Sequence, residues 1–413
     1  MTLQSALRRY YTVFFLKNFA SSIPAGVLVL YILQKGLSVQ DIGIIFGVIS
    51  LTVIFLEIPT GGLADTLGRK NIALAGFLFN FAAVCILLAA NNLPTAVFYS
   101  LLLGIGLSLG SGSLEAWFID KIEEENPDVD LQPYLARQDF YETVANALGA
   151  LLGGLLPYLT MTYGWPTFQP LSSPLILSLV FRILSILTLI SLIPNDTPNR
   201  EIQYKPYAKL QNILKTSFSL VLQKTQLKYL LLITFVNGIA LGSFDAFWQP
   251  YIKLVMNLTE ENTVSFGLLQ AAGFVCATIG SLYASTFVKQ IRYHNLAALS
   301  AQIGKTLIFL CLASSVNFYA IGIAFGLFYI ALMLNISPHM TLYNQQVSSE
   351  NRSTLLSISS LVLFLGAGLG AVIFGYLAEN YSFSIAFLVL ALPTFLSSFF
   401  YIGIESRAKV TQI

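Results

Sequence analysis

Long apolar runs alternate with short polar connections along the whole chain. A helix needs about 20 predominantly apolar residues to cross a bilayer, and twelve such runs can be placed. They cover roughly 10–33, 41–63, 71–90, 94–118, 134–158 and 172–194, then 227–252, 263–287, 295–314, 317–340, 353–376 and 382–403. Several contain Gly, Pro, Ser or Asn, which a membrane helix tolerates where its neighbours re-satisfy the backbone. One polar connection is long, 195–226. Pro194, Pro198 and Pro206 open it, and an amphipathic piece follows over 207–223 with Lys209, Lys215 and Lys224. Such a piece is expected along the cytoplasmic interface rather than as a partner-binding helix. The pattern predicts an all-α membrane protein: a six-helix bundle over 1–194, a linker with an amphipathic helix over 195–226, and a second six-helix bundle over 227–413.

The two bundles read as copies. Tyr31-Ile32 in the first span answers Tyr251-Ile252 in the seventh, Arg137 answers Arg352, and Gly149 and Gly153 answer Gly366 and Gly370, at offsets of 215–220 residues. Parallel repeats related by an axis along the membrane normal would give such a pattern.

Composition agrees: 56% of the 413 residues are hydrophobic and 10% are charged, against about 25% charged in soluble domains. A net charge of +2 spread over separate loops offers no patch for nucleic acid. Basic residues also set the orientation. With both termini in the cytoplasm, seventeen Lys and Arg fall on the cytoplasmic side and two, Lys35 and Lys253, on the other, the bias expected of a multi-pass plasma (inner) membrane protein. Arg8-Arg9 precede an apolar run too long for a cleavable signal. Cys85, Cys276 and Cys311 sit inside apolar runs without metal spacing and read as small buried hydrophobes.

Between the second and third spans lies Gly61-Gly62-Leu63-Ala64-Asp65-Thr66-Leu67-Gly68-Arg69-Lys70. Glycines let another backbone approach, Asp65 can cap or charge-pair at a helix end, Gly68 permits a sharp turn, and Arg69-Lys70 hold the loop at an anionic surface. This resembles the signature loop of the major facilitator superfamily, G-x-L-A-D-R-x-G-R-K, with Thr66 standing where that family has a basic residue. The resemblance implies the superfamily's fold, twelve transmembrane helices in two pseudo-symmetric six-helix bundles. It also implies alternating access to a site at the midplane and a monomer. The loop (Gly61, Gly62, Asp65, Gly68, Arg69, Lys70) would then act as a conformational gate. Residues 111–120 resemble a stretch of the drug-exporter-like branch. Two departures weaken the proton antiporter reading: Ser100 stands where those exporters carry an arginine, and the fifth-span glycine motif lacks its proline.

No enzyme constellation is visible, and no cofactor or metal is predicted. Gly304-Lys305-Thr306 imitates the end of a phosphate-binding loop but lacks the earlier glycine, position 299 being Leu299, and lies within a span. His294 and His339 lack ligand spacing.

Ionisable groups inside spans are costly and therefore informative. Lys17 and Glu57 lie at similar depths, about 9–10 Å inside the cytoplasmic ends of the first two spans, so a pair is plausible. Glu115, Asp139 and Glu142 complete an acidic cluster in the first bundle, and Asp245 stands in the seventh span. One such carboxylate is a candidate for taking and releasing a proton; the competing reading is a salt-bridge network that locks the cytoplasmic gate. Phe14, Lys17, Asn18 and Ser22 of the first span, with Ser108 and Ser111 of the fourth, are candidate cavity residues. Asn237, Phe244 and Trp248 of the seventh span and Phe325, Tyr329, Asn335 and His339 of the tenth join them. Such a stripe is also what helix packing would produce. Arg182 and Lys305, near the midplane of the sixth and ninth spans, are either an anion contact or buried structural groups.

The function expected is secondary transport of a small organic solute, with proton-coupled efflux first. The alternatives are an importer or facilitator of a metabolite or organic anion, and a lipid-handling or sensor protein of transporter-like fold.

Overall fold

The computed structural model describes residues 3–110, 112–125, 129–164, 169–195, 224–256, 262–315, 317–346 and 352–405. The expected amphipathic helix over 207–223 lies outside them. The described residues fold into helices: α1 (Leu3–Ser22), α2 (Leu28–Gln34), α3 (Val39–Leu67), α4 (Arg69–Ala89), α5 (Leu93–Gly110), α6 (Ser113–Glu123), α7 (Gln132–Thr162) and α8 (Ser173–Leu192). In the second half follow α9 (Thr225–Met256), α10 (Thr263–Ile291), α11 (His294–Ser314), α12 (Phe318–Gln345), α13 (Arg352–Asn380) and α14 (Phe383–Ser398), the last extended by a 3₁₀ turn, Phe399–Gly403.

Eleven stretches of the described residues are long and apolar enough to span a membrane. The first expected span is not among them, because it is built from two helices. Pro24, which has no N–H to donate, separates α1 from α2, and the chain passes between them through turns closed by Ala25 N–H to Ser22 O and Val27 N–H to Pro24 O. The expected fourth span is divided between α5 and α6, and Gly112, whose φ of 73° is left-handed, precedes α6. Many large apolar side chains point outward, Phe55, Leu282 and Tyr319 each more than 70% exposed. Lipid solvates such a surface; water would not.

Two compact units are present. The first comprises Met1–Leu37, Leu51–Ala208 and Thr259–Ala271; the second comprises Ser38–Ser50, Lys209–Leu258 and Ala272–Ile413. Within the first, Tyr10, Tyr11, Phe14, Phe77, Trp117 and Phe118 belong to one core cluster. Within the second, one cluster gathers Leu230, Ile233, Leu342, Tyr343, Leu355 and Tyr401.

The glycine pairs make the internal repeat physical. A Cβ on Gly149 or Gly153 of α7 would run into the backbone of Phe19 and Ile23 in and just after α1. A Cβ on Gly366 or Gly370 of α13 would run into the backbone of Phe235 and Ile239 in α9. The glycines are 217 residues apart (366−149, 370−153) and their partners 216 (235−19, 239−23), with the same residue types at both partner positions. Each unit thus uses one close helix crossing in the same way, because without a side chain the backbones can touch.

Gly153→Leu and Gly366→Leu should each destabilise the purified protein by about 1–3 kcal/mol or more, read as a lower melting temperature in detergent. Gly304→Ala, where a Cβ meets open space, should leave it unchanged.

Candidate functional site

In the first unit, α1, α6 and α7 enclose a mixed polar and aromatic locus. Tyr10 stacks on Phe118 at 3.9 Å between ring centroids and on Phe14 at 5.5 Å, and donates its hydroxyl to Gln138 Oε1 at 2.7 Å. This fixes the facing sides of the three helices. Next along α1, the Lys17 ammonium sits 5.5 Å from the Phe14 ring, a contact a cation finds favourable. The carboxylates acting on that ammonium are Glu142 of α7 and Glu115 of α6; Asp139 and Glu115 act in turn on Glu142. Among the described residues Lys17 makes no ion pair within 4.0 Å. Two carboxylates therefore act on one cation, and a third, Asp139, acts on Glu142. Glu57, the partner expected from depth, is not among the groups acting on Lys17, and its Oε2 is buried without a hydrogen-bond partner.

Nearby candidates are tied into the framework. Asn18 donates to Phe14 O within its own helix. Ser22 donates to Asn146 Oδ1 of α7 at 2.9 Å, and Thr60 of α3 donates to the Ser108 carbonyl of α5 at 3.0 Å. Ser111 lies outside the described residues, as do the side-chain surroundings of Gly61, Gly62 and Asp65. Gly68, at φ 92°, turns the chain from α3 into α4. Beyond it Arg69 forms an ion pair with Asp120 of α6 at 2.5 Å, and Lys70, buried, donates to Ile190 O of α8 at 2.9 Å. The basic end of the loop is thereby fastened to two other helices. Asp120 and Asn146 escaped sequence reasoning. A carboxylate expected at a surface and an asparagine in a polar helix face give no hint of their partners. Arg182 is buried in α8, its Nε donating to Ser178 Oγ at 3.2 Å.

In the second unit, four of the expected residues form one buried network. Lys305 of α11 is fully buried and donates to Asn237 Oδ1 of α9 at 2.7 Å and Asn335 Oδ1 of α12 at 3.2 Å. Asn237 Nδ2 donates to the same Asn335 oxygen, and Asn335 Nδ2 donates to Ala298 O and to the Tyr401 hydroxyl. His339 bridges Tyr401 OH at 2.8 Å and Thr234 Oγ1 at 3.0 Å through its two ring nitrogens. The lysine is held by neutral oxygens, and no carboxylate lies within ion-pair distance among the described residues. A second group, Phe244, Trp248 and Phe325, packs with Phe309 and Phe328 at centroid distances of 4.0–6.5 Å. Each of these three candidates is at most 3% exposed, and the space between them is too tight for water. They are core here. Half-buried Tyr329 donates to Asp245 Oδ1 at 2.9 Å.

Helices of this number and packing, with an Arg-Lys loop fastened between α3 and α4, match a known profile. The sequence profile of the Major Facilitator Superfamily covers residues 10–343. The chain belongs to that superfamily. One superfamily relative, the uncharacterized MFS-type transporter YxaM of Bacillus subtilis (strain 168), is 22% identical over 386 residues, covering 92% of each chain. Among solved structures the fold is similar to a mutant form of the nucleoside transporter NupG, with a TM-score of 0.81, 11% identity, and 97% and 99% of the two chains covered. It is also similar to a bacterial homologue of the iron transporter ferroportin, with a TM-score of 0.74, 16% identity, and 98% and 100% covered. At such identities the structures share a fold with this superfamily member. The protein is thus a multi-pass membrane transporter of the superfamily, not an enzyme.

Two outcomes follow from this geometry. Asn335→Leu should cost about 1–3 kcal/mol, because it strands several buried polar groups. The double variant Asn335→Leu/Lys305→Met should melt higher than the sum of the single losses implies. In the loop, Arg69→Gln and Asp120→Asn should lower transport to a similar extent, with no further loss in the double variant; additive losses would show that the two residues act apart.

Proposed function

We propose that the protein moves a small organic solute across the plasma membrane by alternating access, driven by protons and directed outward. The observation that carries the proton coupling is the locus of Lys17, Glu115, Glu142 and Asp139 in the first unit. A carboxylate tied in a close ion pair keeps its charge through a transport cycle. Here Glu115 and Glu142 share one ammonium without such a pair, so a proton added to one of them changes the local charge by one unit while the other still balances Lys17. Asp245, held by Tyr329, is the comparable carboxylate in the second unit.

The assignment of efflux rests on the resemblance of residues 111–120 to exporters. The distribution of Lys and Arg supports a cytoplasmic position for both termini, and the proposed working unit is a single chain. The Arg69–Asp120 pair supports a gate at the cytoplasmic end of α3, where Asp65 would add its own contacts.

A thermal-shift screen of purified protein against metabolites, siderophores and antibiotics would supply solutes for a flux assay. In inside-out vesicles, entry of such a solute should acidify the external medium. Glu142→Gln or Glu115→Gln should abolish the acidification and the uphill accumulation while leaving solute exchange. Accumulation indifferent to the pH gradient in the wild type would show a facilitator instead. Full coupling in both variants and in Asp139→Asn would sink the role given to this locus.

A further inference from the structure

A cavity of the first unit is not explained by this locus. It has a volume of about 660 Å³ and, among the described residues, is lined by α1 and α7, with Gln4, Arg8, Tyr11, Phe15, Arg137 and Tyr141 among its walls. Ligand pockets for small organic molecules run from roughly 300 to 1,000 Å³.

What sets the cavity apart is the state of its two arginines. Six other described cations of the first unit have found an acceptor. Arg9 donates to Leu192 O, Lys35 to Leu88 O, Lys70 to Ile190 O, Lys121 to Glu124 and Arg182 to Ser178, while Arg69 pairs with Asp120. Lys17 has the Phe14 ring and its carboxylates. The guanidinium groups of Arg8 and Arg137 have no hydrogen bond or ion pair among the described residues, and both residues line this one cavity. Their guanidinium groups are exposed, one on each wall. In the same lining the Tyr11 and Tyr141 rings lie 5.0 Å apart with a 32° tilt, and Tyr11 is held in place by its hydroxyl bond to Tyr134 O. The lining therefore combines two aromatic rings with two cationic groups.

We infer that this cavity is a binding site for a soluble organic anion, one with a planar apolar body and a carboxylate or phosphate group, and that such anions are the transported class. A guanidinium presents paired N–H donors that match a carboxylate or phosphate edge to edge, and aromatic faces receive the planar body. The assignment as cargo rests on the transport reading above; the binding site itself does not.

The test uses the full-length protein in nanodiscs of zwitterionic lipid, with naphthoate and naphthyl phosphate as probes and naphthalenemethanol and naphthalenemethylamine as neutral and cationic counterparts. The two anions should raise the melting temperature, and the neutral and cationic compounds should not. Arg8→Gln and Arg137→Gln should each weaken anion binding by roughly tenfold or more, as loss of one charge-assisted contact implies, and Arg8→Lys should retain part of it. Anion binding unchanged in both glutamine variants, or equal binding of naphthalenemethanol, would overturn the site. Stabilisation by phosphatidylglycerol with no response to either soluble anion would overturn the soluble ligand in favour of a lipid headgroup. Labelled naphthoate exchange in proteoliposomes, lost in the same variants, is expected of cargo. Arginine-dependent binding without exchange would overturn the cargo assignment alone. Failure of every compound from the thermal-shift screen to exchange would instead count against the transport reading.

Discussion

Lipid offers no hydrogen-bond partner to a peptide group, and every other feature of this molecule is arranged around that deficit. Each membrane-crossing segment must satisfy its own backbone, which makes it a helix, and helices without water to drive them together associate by close contact and by polar side chains. The glycine pairs at 149/153 and 366/370 supply the close contact. Each allows a helix to lie directly on the backbone of the helix that opens its unit, Phe19 and Ile23 in one case and Phe235 and Ile239 in the other. Where the backbone cannot satisfy itself, as at Pro24, the chain leaves the helix, turns and starts again.

The same scarcity of partners governs the charges, and here the two copies have diverged. In the first unit the buried ammonium, Lys17, faces a group of carboxylates and an aromatic ring. In the second, Lys305 is enclosed by amide oxygens, backed by a histidine and a tyrosine, with no acid close by among the described residues. A shared set of carboxylates changes its charge state when a single proton arrives. A cage of amides does not, and its dense bonding across α9, α11, α12 and the final 3₁₀ turn joins those elements together. The first unit thus sets carboxylates around its lysine, and the second ties its helices together through amides.

Much of the fold was legible because a bilayer imposes a length. Runs of about 20 apolar residues and the segregation of Lys and Arg report on the environment directly, without knowledge of neighbours. The signature loop was legible for a related reason, since its glycines and basic residues answer to a turn at a charged surface. Partners were not. The similar depths of Lys17 and Glu57 suggested a pair, yet depth leaves rotation about the helix axis free, and Lys17 is acted on by α6 and α7 instead. Phe244, Trp248 and Phe325 share helix faces as cavity residues would, but packing in the second unit closes them into core. The Arg69–Asp120 pair joins positions 51 residues apart (120−69), a distance at which no local periodicity carries information.

By itself, then, the chain determined that it is helical, that it lives in lipid, that its basic residues favour one side, and that it is built from two related halves. Each of these follows from the local energy of placing a residue in hydrocarbon or in water. Only the tertiary structure decided that Asn237, Asn335, His339 and Tyr401 form one buried network with Lys305, and that Arg8 and Arg137 line one cavity with Tyr11 and Tyr141. Those decisions depend on how helices rotate and cross, which the packing of small residues between distant segments sets.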